Sequence, residues 1–177
     1  MFQVRIHGRG GQGVVTAAEL LSVAAFLDGR HAQAFPSFGS ERMGAPVVAF
    51  CRIDERPIRV REPILAPDAL IVQDPTLLHH VDVFAGLVPG GYVVLNSSRA
   101  VADPRVVTVP ATDLAREHLG RPLPNAALLG AFAALCGLIT FDSVAAAIRE
   151  RFPARLAEAN VGAATAAFAL VEEPAHA

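Results

Sequence analysis

Phe2-Gln-Val-Arg-Ile-His7, Gly8-Arg-Gly-Gly-Gln-Gly13 and Val14-Val-Thr-Ala-Ala-Glu-Leu-Leu-Ser-Val-Ala-Ala-Phe26 stand in one unbroken run at the start of the chain. The first piece reads as a strand, the second as a glycine-rich turn and the third as an apolar helix. Gly8, Gly10 and Gly13 fit the G-x-G-x-x-G spacing, which permits a tight turn and lets phosphates approach the backbone. The helix N-terminus then offers unpaired N–H groups and a partial positive charge. Arg9 lies inside the turn and is placed to add a charged fork to the same anion. Glycines also serve merely to turn a chain. The strand–turn–helix setting is what favours anion binding.

Outward from this run, the helix stops at Asp28-Gly29-Arg30. His31 to Phe35 is a candidate second strand, Pro36 to Gly44 a loop, and Pro46 to Asp54 a strong strand. Arg56 to Val60 is expected to pair back on it as a hairpin across Asp54-Glu55. Ala69 to Gln73 is a short apolar run typical of a buried strand, closed by Asp74-Pro75. A short helix from His79 to Leu87, strands at Tyr92–Asn96 and Arg105–Val109, and four helices follow: Thr112–Leu119, Asn125–Leu138, Asp142–Phe152 and Ala154–Leu170. The pattern predicts an α/β fold. Its form is a Rossmann-like three-layer sandwich with a mostly parallel sheet, an antiparallel hairpin and helices on both faces. A single domain is expected over residues 1–171, with 172–177 a frayed tail.

Composition narrows the function. Of 177 residues, 53% are hydrophobic and 18% charged, which argues against disorder. A net charge of −2 gives no general pull toward nucleic acid or an anionic membrane. All 15 basic residues are Arg, so lysine chemistry is excluded within the chain. No apolar stretch makes a convincing membrane span, and no basic region followed by an apolar run precedes the first strand. Cys51 and Cys136 are isolated, without a C-x-x-C pair, so no iron–sulfur or zinc site is expected. The expected compartment is a reducing cytoplasm.

A nicotinamide dinucleotide site needs an acid at the end of the second strand. Here that strand ends Ala34-Phe35-Pro36, and the nearest acids, Asp28 and Glu41, are poorly placed. The phosphate loop stands without NAD. The second loop carries Ser37, Gly39, Ser40, Arg42 and Gly44 and should reach the same sheet edge. Its polar groups serve either a ligand held by the first loop or a subunit interface. Asn125 reads most simply as a helix N-cap. His79-His80 reads as a solvated face, and His7 as either a ligand contact or a satisfied sheet-edge residue. Arg52, Arg56, Arg59 and Arg61 read as a charged sheet face or a subunit contact.

Gly8-Arg-Gly-Gly-Gln-Gly-Val-Val-Thr-Ala-Ala18 and Phe35-Pro-Ser-Phe-Gly-Ser-Glu-Arg-Met-Gly-Ala-Pro-Val-Val-Ala-Phe50, taken together, resemble the gamma subunit of 2-oxoacid:ferredoxin oxidoreductases. The Glu-Arg-Met-Gly-Ala-Pro run with Cys51-Arg-Ile-Asp54 is most similar to the pyruvate branch. Asp68 to Pro75, Gly90 to Ser97 and the Asn125 region extend the resemblance over most of the chain. The family couples oxidative decarboxylation of a 2-oxoacid to acyl-coenzyme A formation, with electrons passed to ferredoxin. The resemblance implies partner subunits alpha, beta and a ferredoxin-like delta, which carry thiamine diphosphate, Mg and iron–sulfur clusters. It implies coenzyme A at or near this chain, on Gly8, Arg9, Gly10, Gly11, Gln12 and Gly13, with a hydroxyl from Thr16. Ser37, Gly39, Ser40 and Arg42 complete the candidate set. It implies no catalytic residue and no metal ligand here. The family loop often has Pro where Ser40 stands, a change that loosens the backbone. The alternative is a stand-alone module binding a nucleotide or another phosphorylated ligand, without redox activity.

Overall fold

A computed structural model describes residues 1–37 and 42–172. The order is β1 (Phe2–Arg9), α1 (Val14–Leu27), β2 (His31–Pro36), β3 (Pro46–Asp54), β4 (Ala69–Val72), a one-turn 3-10 helix (Pro75–His79), β5 (Tyr92–Asn96) and β6 (Val106–Val109). Then come α2 (Ala111–Leu119), α3 (Asn125–Cys136), α4 (Phe141–Arg151) and α5 (Ala154–Glu172). The expected frayed tail falls largely on residues 173–177, outside the described residues.

The strands form one six-stranded sheet in the order β2-β3-β1-β4-β5-β6. β1 runs parallel to β4, with Val4 opposite Ala69 and His7 opposite Val72. The parallel pairing continues through β5 and β6. β3 is antiparallel to both its neighbours, β1 and β2. The α/β class and mostly parallel sheet therefore match the sequence reading. The antiparallel hairpin is β2–β3, whereas residues 56–60 form no strand. Once β3 is paired on both sides, no edge remains to receive them. The expected helix at 79–87 is also absent, and its single turn comes earlier, at Pro75–His79. Pro75 suits the first turn of a helix, where its missing N–H is no loss, and Asp74 caps it by accepting the Thr76 N–H.

The two faces of the sheet differ. Val4 and Ile6 of β1, Cys51 and Ile53 of β3 and Ile71 of β4 point to one face and share a core with the α-helices, of which α1, α3 and α5 lie against the strands. Alanines line those helices and allow close approach. The opposite face is thinner. Leu70, Val72, Val93 and Leu95 are covered there by Leu77 of the 3-10 helix and by Val83, Phe84 and Leu87 of the segment after it. Among the described residues no helix is long and apolar enough to cross a membrane.

Two arginines anchor that thin layer. Arg5 is 8% exposed and donates to the carbonyls of Val83 and Ala85 at 3.0 and 2.6 Å. Arg52 is 2% exposed and donates to Gln3 Oε1, Gln33 Oε1 and the Glu62 carbonyl. Its guanidinium also lies 5.3 Å from the Phe35 ring centre. The sequence reading of Arg52 as part of a charged surface is thus corrected, while Arg56, Arg59 and Arg61 are exposed.

On the helical face, Asp28 joins the end of α1 to the start of α4. It accepts from the Thr140 N–H at 2.6 Å, the Thr140 hydroxyl at 3.0 Å and the Ser143 hydroxyl at 2.6 Å. Burial alone would raise its pKa; the bonds from Ser143 and Thr140 outweigh this and hold it below the usual carboxylate range. Asp28→Ala should lower stability by about 1–2 kcal/mol, read as a shift of the urea midpoint at constant slope.

Candidate functional site

The site is built where β1 ends. Gly8 and Arg9 are the last residues of the strand, and α1 starts at Val14. The turn between them is closed by the Gln12 N–H donating to the Arg9 carbonyl at 3.1 Å. Gly13 takes the cap position of α1 with φ 73°, in the left-handed region where a side chain is strained. Among the described residues no side chain caps α1, and no acid lies in its first turn. The N–H groups of Val14, Val15 and Thr16 therefore have no intrahelical acceptor and face outward with the positive end of the helix dipole. They open on a cleft of about 400 Å³ lined by Arg9, Gly11, Gly13, Val15, Thr16 and Pro36.

The second loop meets the first. Gly10 bridges to Met43, its N–H donates to the Ala45 carbonyl at 2.9 Å, and its carbonyl accepts the Gly44 N–H at 3.1 Å. A side chain at Gly10 would strike the Arg42 carbonyl, so the close approach of the two loops requires glycine. Ser37 donates its N–H to the Val48 carbonyl as β2 leaves the sheet. Arg42 is exposed beside the bridge. Gly39 and Ser40 lie outside the described residues.

A third segment joins them. Arg9 donates to the Thr76 hydroxyl at 3.2 and 2.9 Å and to the Gly44 carbonyl at 3.1 Å, with Asp74 Oδ2 at 3.4 Å. Gln12 accepts the Arg9 N–H at 2.7 Å and donates to Asp74 Oδ2 at 2.8 Å. Burial alone would raise the Asp74 pKa. Hydrogen bonds from Thr76 and Gln12, with the Arg9 charge, outweigh it and keep the carboxyl ionised below its usual range. The Arg9 guanidinium, expected to offer a charged fork to an anion, is turned onto Asp74, Thr76 and Gly44. It lines the cleft beside the helix backbone.

Asn125 is the first residue of α3, with Pro124 in the cap position, so it is not the N-cap that the sequence suggested. Its Oδ1 accepts the Ala126 N–H, and its Nδ2 stands 2.8 Å from where a Gly13 side chain would begin. Asp74 and Thr76 escaped the sequence reading. The Asp74-Pro75 pair signals a strand end, but its link to Gln12 spans 62 positions and carries no local pattern. His79 and His80 are exposed at the end of the 3-10 helix. Among the described residues no group of three His, Cys, Asp or Glu is placed to hold a metal.

β2 does not adjoin β1, since β3 lies between them. A dinucleotide site of the doubly wound type needs those two strands side by side. The weak NAD reading from the sequence thus acquires a topological reason.

The profile of the pyruvate ferredoxin/flavodoxin oxidoreductase family matches residues 3–170. The chain belongs to this family. "Pyruvate synthase subunit PorC" of Methanothermobacter thermautotrophicus is 50% identical over 175 residues, covering 98% of this chain and 97% of the relative. The "pyruvate/ketoisovalerate oxidoreductases common subunit gamma" of Pyrococcus abyssi is 48% identical, covering 95% and 96%. The crystal structure of pyruvate oxidoreductase subunit PORC from Thermotoga maritima superposes with TM-score 0.82 at 31% identity, over 95% of each chain. The 2-oxoglutarate:ferredoxin oxidoreductase of Magnetococcus marinus, solved with 2-oxoglutarate, coenzyme A and succinyl-CoA bound, shares the fold at TM-score 0.78 and 17% identity. It matches 97% of this chain, which covers 31% of that longer one. Within the family this chain corresponds to the gamma subunit of a multisubunit 2-oxoacid:ferredoxin oxidoreductase.

In this gamma chain His7 faces away from the cleft's helix. It is buried on the thin face and accepts from Arg5 Nε at 2.9 Å. Burial first, and the Arg5 charge second, push its pKa from 6.5 down to about 4. It is therefore a neutral structural residue rather than a ligand contact. A base with a depressed folded pKa binds its proton more readily when unfolded. Its contribution is thus complete above pH 6.5 and is lost as the pH falls toward 4. The loss should reach about 3 kcal/mol. His7→Gln, which keeps an acceptor for Arg5 without titrating, should flatten that part of the stability–pH curve in urea titrations.

Proposed function

We propose that this gamma subunit holds the phosphate end of coenzyme A at the N-terminus of α1. The observation that carries this reading is the acid-free start of α1, which no described side chain caps, opening on the cleft with N–H groups of the first turn directed outward. Coenzyme A supplies the thiol that accepts the acyl group. Val14, Val15 and Thr16 would bind its phosphate oxygens by backbone N–H, and the Thr16 hydroxyl adds a donor one residue further in. The Arg9–Asp74 pair keeps the loop rigid without adding net charge. On this reading thiamine diphosphate, Mg and iron–sulfur clusters belong to alpha, beta and ferredoxin-like delta partners, and ferredoxin is reached through that complex. Coenzyme A bound in the Magnetococcus marinus fold relative supports the choice of ligand.

Decarboxylation and electron transfer then belong to the partners, and this chain aligns the acyl acceptor. Pyruvate is the 2-oxoacid favoured by the relatives' names. The Pyrococcus abyssi relative is named as common to pyruvate and ketoisovalerate enzymes, which supports placing side-chain selection off this subunit. A stand-alone phosphate-binding module is disfavoured, because the named subunits align over nearly the whole chain.

Thr16→Asp tests the reading. An acid in the first turn suits the helix dipole and spares the fold, but it places negative charge where the phosphate would sit. In the reconstituted complex the KM for coenzyme A should rise roughly tenfold, with the KM for pyruvate unchanged. An unaltered coenzyme A KM sinks the proposal.

A further inference from the structure

Gln73 follows directly on β4. Its N–H donates to the His7 carbonyl at 2.8 Å, and its carbonyl accepts from Asn96 Nδ2 at 2.8 Å, so its backbone is fixed between β1 and β5. The side chain is 1% exposed, yet neither Nε2 nor Oε1 has a hydrogen-bond partner among the described residues. Burial without partners is unfavourable for an amide. A Met would occupy the same space without that penalty. The residue's chemistry therefore calls for an explanation.

Its location supplies one. Alternation along β4 turns Gln73 to the face of Ala69 and Ile71, beneath the glycine loop. The point where a Gly8 side chain would begin lies 3.2 Å from Gln73 Oε1 and 3.1 Å from Gln12 Oε1. Both carboxamide oxygens thus border the space that Gly8 leaves. Gln12 Oε1 accepts the Arg9 N–H and retains a second lone pair. A half-turn of the Gln73 amide exchanges its oxygen and nitrogen, which are nearly alike in shape, and turns Nε2–H toward the same space that Gln12 Oε1 borders.

We propose that Gln73 is the positioning residue of the glycine loop. Its carboxamide holds Gln12. Through Gln12 it holds the Arg9 N–H and Asp74, and through Arg9 the Gly44 carbonyl of the second loop. One buried amide at the sheet centre thereby sets the geometry of both loops around the cleft. The consequence for the acyl acceptor rests on the coenzyme A reading above; the consequence for the loop does not.

The test uses the reconstituted complex with Gln73→Met, Gln12→Met and the double variant. Two quantities are read: the KM for coenzyme A against kcat, and amide hydrogen exchange of the peptide spanning residues 8–13. Gln73→Met should raise that KM about 5–10-fold with kcat within about twofold, and speed exchange of the Arg9 amide about tenfold or more. Gln12→Met should raise the KM comparably, and the double variant should add little to either single one, as expected of two residues acting as one unit. Gln12 stands in the loop rather than the core, so unchanged exchange of the 8–13 peptide in Gln12→Met overturns the relay even if Gln73→Met fails to assemble. Unchanged exchange and KM in Gln73→Met, with a raised Tm, would mark an idle buried amide and overturn the proposal. Faster exchange with an unchanged KM supports the positioning role and counts against coenzyme A as the ligand of the cleft.

Discussion

Two buried guanidinium groups make the asymmetry of this fold possible. A sheet needs cover on both faces, and here one face receives five α-helices while the other receives mostly irregular chain. Irregular backbone brings carbonyls that no ladder or helix satisfies. Arg5 and Arg52 meet them with planar donor forks, reaching Ile64, Val83, Ala85 and Glu62 across long sequence separations. A buried charge is tolerable when its donors are all directed at acceptors. Lysine, with one compact ammonium, would not span these sites.

That constraint passes along β1 to the site. Val4 and Ile6 face the helices, while Arg5 and His7 face the arginine-clamped layer. The strand is held from both sides up to the residue before the glycine loop. The loop then draws on segments around residues 8–13, 42–45 and 74–76, each reaching the same sheet edge by a different route. Arg9 is paired with Asp74 at the cleft, and the N-terminus of α1 adds the positive end of its dipole there.

Local patterns were legible in the chain wherever the physics is local. β1, α1, β3 and β5 follow from alternation, apolar runs and glycine stops, and their bounds agree with the structure to within a few residues. The strand–turn–helix run likewise marked the glycine loop. The errors share one cause. Arg56 to Val60 has strand-like composition but meets no free edge, because β3 already has partners on both sides. Arg52 is a charged residue in a strand, and only its neighbours reveal that it is buried. Arg9 reads as a free cation until Asp74 and Thr76 are brought to it across 67 positions.

The sequence alone determined the α/β class, the glycine-rich loop at the first strand–helix junction and the family to which the chain belongs. Each rests on contiguous residues whose backbone preferences and spacing are intrinsic. Tertiary structure alone decided that β3 separates β2 from β1, that Arg9 braces the loop and that Gln73 lies buried beneath it. These are outcomes of which segments pack together. Strand order and side-chain partnership are settled by burial across the whole molecule, and burial has no signature in a short window of sequence.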